Sequence, residues 1–458
     1  MGTATAGKDI TAEETDVLYA AHVNEKWVHL LKLLGMDVTY THCTGVDLYT
    51  DTERHVLDFL SGYCVYNMGH NHPGVIAALE DELLRLGPTM LQSHVPDLAA
   101  ELASRLTGLA GGRLSKVFFT SSGSEGIETV IKFARAQTGR DRILYCHGAF
   151  HGLTCGALSL MGDPWWRKGF GPMLPGTDAI SFGDAEALER TLAAGRYAAF
   201  VLEPIQAEAG IVLPESGYLQ AAQASCRKAG TLLVLDEVQT GMYRTGPFLA
   251  AHHFKVEPDM VVLAKALSGG LVPCGAVLMS EAVHRRVYSS LSRAYIHAST
   301  FGENNLAMRA GLATLDVMES EKLGRRAEVM GERLRRSLAT SLSSFDMVES
   351  VRGLGLLNGI VFRQPRSAGM RIAFEAFRHL HQGMFGQMLV SELFRSENIL
   401  TQMCGNNHMV LKVAPPLVLR EDQMQRFVAA VTRVVEKVHA REGFWKHGLS
   451  MVKGAVAV

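Results

Sequence analysis

The feature that most constrains this chain is a rhythm in its middle. Short apolar, β-branched runs recur there, with stretches of helical spacing between several of them. Lys116–Thr120, Ile143–Cys146, Ala199–Glu203, Leu232–Asp236, Met260–Leu263 and Ala276–Met279 read as strands, and Gly126–Thr138, Ala185–Ala193 and Tyr218–Ala229 as helices. A strand that is apolar throughout must be covered on both faces, and intervening helices supply that cover. The expected core is therefore an α/β fold around a mostly parallel sheet. The flanks lack this rhythm. Leu57–Tyr66, ending before Gly69-His70-Asn71-His72-Pro73, reads as a strand and turn in a small N-terminal piece. A helical stretch from Leu323 to Leu342, a strand at Leu354–Phe362, a helix at Ala373–Phe394 and a short strand near Met409–Val413 predict an α+β lobe at the other end.

With 458 residues, the chain is too long for one ordinary domain, and 47% hydrophobic residues give it a large core. Three segments are expected, 1–75, 76–325 and 326–458, the first and last forming a smaller lobe. A formal net charge of -1 gives no general attraction to nucleic acid or to an anionic membrane. The seven cysteines are scattered with no CxxC spacing, which fits reduced thiols. Met1–Ile10 is polar, with no apolar signal core, and Ala6 breaks the myristoylation pattern. No apolar run is long enough to span a bilayer. A cytoplasmic location is expected.

Three segments carry chemistry. Leu232–Asp236 is a buried strand ending in an acid, and ligands of open α/β sheets bind at the carboxyl ends of strands. An acid there can pair with a cationic ring nitrogen; a lone strand-end Asp is more often an ordinary ion-pair partner. Met260–Leu263 is followed by Ala264, Lys265 and a Ser268-Gly269-Gly270 turn. A desolvated lysine loses its proton readily and can attack an aldehyde; the plain alternative is a solvated strand-end lysine. Phe118–Gly126 leads a strand through Ser121-Ser122-Gly123-Ser124 into a helix, where exposed N–H groups can hold a phosphate or simply form a cap. Together the three describe one site, with a phosphate cradle, an acid for a pyridinium nitrogen and a lysine for an aldehyde. Pyridoxal phosphate needs all three.

In these segments the chain resembles the class III aminotransferases, the group that includes ornithine, acetylornithine and 4-aminobutyrate aminotransferases. The resemblance runs from about Asp47 to Glu436 and rests on Leu57–Pro73, Ser121–Gly126, Ala149–Gly152, Glu203–Gln206, Asp236–Gly241, Leu263–Gly270 and Ala414–Leu417. It implies the type I pyridoxal-phosphate fold, with a seven-stranded, mostly parallel sheet in a large cofactor domain and a smaller α+β lobe. It implies ping-pong transamination through Lys265 as the Schiff-base lysine, with Asp236 on the ring nitrogen. By the same resemblance Val238 packs under the ring, Phe150 stacks over it, Gln239 meets the phenolic oxygen, and Gly123 and Ser124 hold the phosphate. Thr300 matches a threonine that reaches the phosphate of a neighbouring subunit, which implies a homodimer.

The substrate side departs from the family. Lys412 stands where relatives carry an arginine that grips a carboxylate, and lysine cannot form the planar fork. Glu208 matches the glutamate that holds that arginine when no carboxylate is present, so Lys412 can hold a carboxylate or pair with Glu208. Leu153 stands where the ornithine enzyme has an arginine for the α-carboxylate, and an apolar wall there disfavours a buried anion. Tyr63 matches a specificity tyrosine, and Glu303-Asn304-Asn305 replaces the family's Gly-Asn-Pro. The expected amine is a terminal amine, a diamine or an apolar amine, with a keto acid or aldehyde as acceptor. The scaffold also serves decarboxylases and aminomutases. A non-catalytic scaffold protein would have lost Lys265 or Asp236, and both are present.

Other features read more plainly. His147 with His151, and His70 with His72, are taken as polar loop histidines, and no metal is expected. Trp165-Trp166-Arg167-Lys168 reads as a surface or interface loop, His379–Val390 as packed core, and Glu203 as a structural acid rather than a general base.

Overall fold

The structure is a computed structural model and describes residues 10–91, 93–366, 370–372, 374–375, 378 and 382–440. At its centre lies a seven-stranded sheet of β1 (Leu114–Thr120), β2 (Arg142–Cys146), β3 (Thr177–Ile180), β4 (Tyr197–Leu202), β5 (Leu232–Asp236), β6 (Met260–Leu263) and β7 (Gly275–Ser280). The spatial order is β1-β7-β6-β5-β4-β2-β3. β7 runs antiparallel to β1 and β6, and the other neighbours are parallel.

The six expected strands are present to within two residues at each end. β4, β6 and β7 are buried at every position, because helices cover both faces. On one face lies α1 (Gly123–Thr138), whose Ile127, Val130, Ile131 and Phe133 pack with Ile143, Val201, Val234, Val262 and Val277. Each such side chain contributes about 1.5–3 kcal/mol by leaving water, so this face alone outweighs the propensity of any one residue in α1. β3 was not expected. It is an edge strand, Thr-Asp-Ala-Ile, half-buried throughout, and so carries no apolar run to read.

The flanking lobe joins distant parts of the chain. Tyr40–Thr44, Asp47–Thr50 and His55–Asp58 form an antiparallel sheet whose fourth strand, Ile399–Leu400, runs parallel to His55–Asp58. The expected strand at Leu354–Phe362 is in fact the turn and second arm of a hairpin, Val348–Leu354 with Leu357–Phe362. Its first arm, with Glu349, Ser350 and Arg352, has no apolar alternation to reveal it. The second arm continues into Asn407–Val413 and Gln402–Cys404. The helix Leu323–Leu342 has the expected bounds. The helix expected from Ala373 is described as Met384–Glu397; Ala373, and His379 to His381 of the Met- and His-rich segment, lie outside the described residues.

Candidate active site

The carboxyl ends of β4, β5 and β6 and the start of α1 meet around a cavity of about 360 Å³. The register puts Asp236 at the last position of β5 opposite Val262 of β6, and Lys265 follows β6 after one residue. Lys265 takes a left-handed backbone (φ 49°) at the start of the turn after β6 and lines the cavity. Its ammonium has no hydrogen-bond partner among the described residues. Burial, the largest influence, lowers its pKa; Lys412 adds to this, while Cys64, Glu208 and Asp236 oppose it. A lysine so placed is biased toward the neutral amine, the form that attacks a carbonyl.

Asp236 is buried. Its Oδ1 accepts from the Val238 N–H at 3.1 Å, and its Oδ2 meets Nδ1 of His151 at 2.8 Å. His151 is not a solvated loop histidine. Its side chain is wholly buried, and its Nε2 has no partner among the described residues. Burial works against its protonation, yet Asp236 and Glu203 together raise its pKa. Glu203, one residue beyond β4, accepts from the N–H groups of Phe150 at 3.0 Å and Ala207 at 3.1 Å. Burial pushes its carboxyl up to about 7, His151 pulls it down, Asp236 adds to the rise, and the two N–H groups oppose it. Glu203 thus pins the loop that carries Phe150.

The phosphate end is built from β1 and α1. Ser122 caps the helix, its hydroxyl accepting from the Glu125 N–H at 3.2 Å. The N–H groups of Gly123 and Ser124 find no acceptor among the described residues. A Cβ on Gly123 would lie 2.9 Å from Cγ2 of Val238, so glycine lets the helix start close over that side chain. Gly152 (φ 118°) is equally constrained, since a Cβ there would fall 2.1 Å from Oγ of Ser124. Unpaired N–H groups at a helix start suit a dianion, an unpartnered lysine suits an aldehyde, and a paired carboxylate suits a ring N–H. The residues present fit pyridoxal phosphate.

Seven expected cofactor residues line this one cavity: Gly123, Ser124, Phe150, Asp236, Val238, Gln239 and Lys265. Thr300 does not. It is exposed and borders a separate hollow of about 660 Å³ with Leu291 and Tyr295. The substrate-side residues divide. Lys412 and Glu208 are buried and paired through Lys412 Nζ and Glu208 Oε1. Glu208 also accepts from Gln239 Nε2 at 2.9 Å and the Gly405 N–H at 2.7 Å, and Lys412 Nζ lies 5.0 Å from the Tyr63 ring centroid. Although burial disfavours its charge, Lys412 and these donors hold Glu208 down to about 2, and Glu208 raises Lys412 in return. Leu153 does not wall the cavity; it is half exposed and faces a different groove.

Sequence reasoning undervalued His151, whereas Glu203, read there as a structural acid, pins a loop and also lines the cavity. Glu203 carried a usable signal, an acid at the end of a strand in the same parallel set as the one ending in Asp236. His151 carried none, because one sequence does not show which histidine is enclosed.

Comparison with known proteins identifies the family. The family model Aminotransferase class-III matches residues 33–435. The chain is 34% identical over 466 residues to aminotransferase PigE from a Serratia species, covering 95% of this chain but 55% of that protein, so it spans about half of that relative. It is 36% identical over 406 residues to putrescine aminotransferase from Pectobacterium atrosepticum, covering 86% of this chain and 82% of that one. The ornithine aminotransferase of Toxoplasma gondii superposes with a TM-score of 0.83 at 29% identity, over 95% of this chain and 97% of that one.

Proposed function

The chain belongs to the class III aminotransferases, pyridoxal-phosphate enzymes of the type I fold that exchange amino groups between amines and keto acids, and on that premise we propose which of its residues perform the exchange and on what amine. The supporting observation is that Lys265, Asp236 and the start of α1 face one cavity. Pyridoxal phosphate, when bound, supplies the aldehyde that takes up the amino group and a ring that withdraws electrons from the substrate carbon. Gly123 and Ser124 hold the phosphate through their N–H groups. Asp236, oriented by His151, receives the ring N–H. Val238 and Phe150 clamp the two faces, and Gln239 reaches the phenolic oxygen. Lys265 Nζ would hold the aldehyde and would serve as the base for the proton on the substrate carbon; positioned general bases of this kind contribute about 10²–10⁴-fold.

The amine has no α-carboxylate seated at Leu153, since that side chain offers no charge. Terminal amines and diamines fit; a keto acid or aldehyde is the acceptor. Lys412 receives an acceptor's carboxylate only by leaving Glu208. We also propose the three-segment division 1–75, 76–325 and 326–458, supported by the strand Ile399–Leu400 closing the N-terminal sheet. A homodimer in which Thr300 completes the partner's phosphate site is supported by the exposed Leu291, Tyr295, Ile296 and Phe301 around it. Seven free cysteines support a cytoplasmic location; no described helix is long and apolar enough to cross a membrane.

The test is a half-reaction screen of the cofactor-loaded protein, following the cofactor's visible absorbance after adding ornithine, acetylornithine, glutamate, 4-aminobutyrate, putrescine or alkylamines. Bleaching by terminal amines but not ornithine is expected, and Lys265→Ala slows it by about 10³-fold or more. Preferential bleaching by ornithine would overturn the substrate reading.

A further inference from the structure

Beside the cofactor cavity lies a groove of about 440 Å³ walled by Leu153, Leu158, Trp165, Trp166, Phe170 and Lys168. Trp165, Phe170 and Leu153 are 70%, 69% and 53% exposed. Single exposed apolar residues are ordinary, but a contiguous cluster of large ones marks a binding surface. Two contacts tie this cluster to the reaction. Gly152 lines the cofactor cavity and its neighbour Leu153 lines the groove. The Trp166 ring, at the groove, stands edge-on to Phe150, at the cavity, with centroids 5.4 Å apart at 89°, so the two spaces meet at one ring pair.

That ring pair is held in place. Trp166 Nε1 donates to Asn406 Oδ1 at 2.8 Å, and Asn406 Nδ2 donates to the carbonyls of Gly148 at 2.9 Å and Ala149 at 3.3 Å. The Leu153 N–H donates to Ser124 Oγ at 3.2 Å. The groove is therefore fixed to the loop that carries Phe150 and to the start of α1. Among the described residues no carboxylate lines it, and Lys168 is its one charged group.

We propose that this groove holds the apolar chain of the amine substrate, and of the aldehyde formed from it, so that the enzyme favours unbranched aliphatic primary amines. The proposal rests on the reading that the amine lacks an α-carboxylate at Leu153. A chain ending in a methyl group gains by leaving water along Trp165 and Phe170. A second ammonium at the far end would meet Lys168 with like charge.

The experiment compares half-reaction kcat/KM values of the cofactor-loaded enzyme for butylamine, hexylamine, octylamine and 1,8-diaminooctane. Each added methylene is expected to raise the value about fourfold until the groove is filled. The diamine is expected to fall about tenfold below octylamine. In the double variant Trp165→Ala/Phe170→Ser, the octylamine-to-butylamine ratio drops about tenfold. Lys168→Met, a separate surface change, removes the penalty on the diamine. As a readout apart from turnover, 1-octanol shifts the tryptophan emission of the native holoenzyme but not of the double variant. A flat response to chain length, with all three monoamines turned over, overturns the groove and leaves the proposed substrate class standing. An octylamine ratio unchanged in the double variant also overturns the groove. Ornithine turnover with no reaction of any monoamine overturns both.

Discussion

Lys412 has no side-chain surface in solvent, and among the described residues its one anionic partner is Glu208. Breaking a buried pair from one side leaves a charge uncompensated at a cost of about 3–5 kcal/mol. Lys412→Ala is therefore expected to lose about that much in urea unfolding, and adding Glu208→Gln to recover a large part of it. The pair also has a pH signature. Glu208 is depressed from 4.5 to about 2, so its contribution is complete above 4.5 and is lost as pH falls toward 2. Glu203 behaves in the opposite sense. Its carboxyl is raised from 4.5 to about 7, so the fold keeps a proton that the unfolded chain has released, and stability falls as pH rises through that window. Comparing unfolding midpoints at about pH 5 and about pH 8, the native protein should lose more than Glu203→Gln over the same interval.

At the scale of elements, the closeness of α1 to the sheet sets where the phosphate cradle sits. Gly126, in the first turns of α1, faces β6, and a Cβ there would lie 2.6 Å from Cγ1 of Val262. The same strand leads to Lys265, so lifting α1 moves the phosphate donors away from the lysine. Gly126→Ala is expected to destabilise by about 1–3 kcal/mol and to weaken cofactor binding about tenfold, by urea unfolding and cofactor titration. Gly108, in the helix Asp97–Ala110, is the contrasting case, because a Cβ there meets nothing within 4 Å. Gly108→Ala should stabilise by up to about 1 kcal/mol, since alanine orders more cheaply in a helix. The same substitution in two helices thus has opposite signs, decided by what stands opposite.

At the scale of the molecule, the apolar side chains around Thr300 need an explanation that one chain does not provide. Leu291 and Tyr295 are 96% and 80% exposed, beside a threonine outside its own chain's cofactor cavity. If a second copy covers them, sedimentation should give twice the 49.9 kDa chain mass. Leu291→Glu/Tyr295→Glu should then shift the protein to monomer, and cofactor affinity should fall in the same titration. A monomeric variant with unchanged affinity would separate Thr300 from the phosphate site.

Much of this protein was legible without coordinates, because the features involved are local. Strands β2 and β4–β7 are largely apolar runs and β1 carries one at Val117–Phe119, and a run of that kind has few alternatives once helices lie between its neighbours. That Lys265, Asp236 and Gly123 would meet at one cavity was legible for the same reason, since each sits at the end of such an element and strands running the same way bring those ends together. What the chain order concealed depends on partners far away in sequence. β3 and the first arm of the hairpin are held by pairing rather than by apolar pattern. The strand Ile399–Leu400 is a strand only because His55–Asp58 lies beside it. Enclosure decides the rest. Burial makes His151 a partner of Asp236, turns Lys412 inward to Glu208 and leaves Leu153 outside the cavity. Desolvation is set by everything that packs around a group, and only the folded chain specifies that.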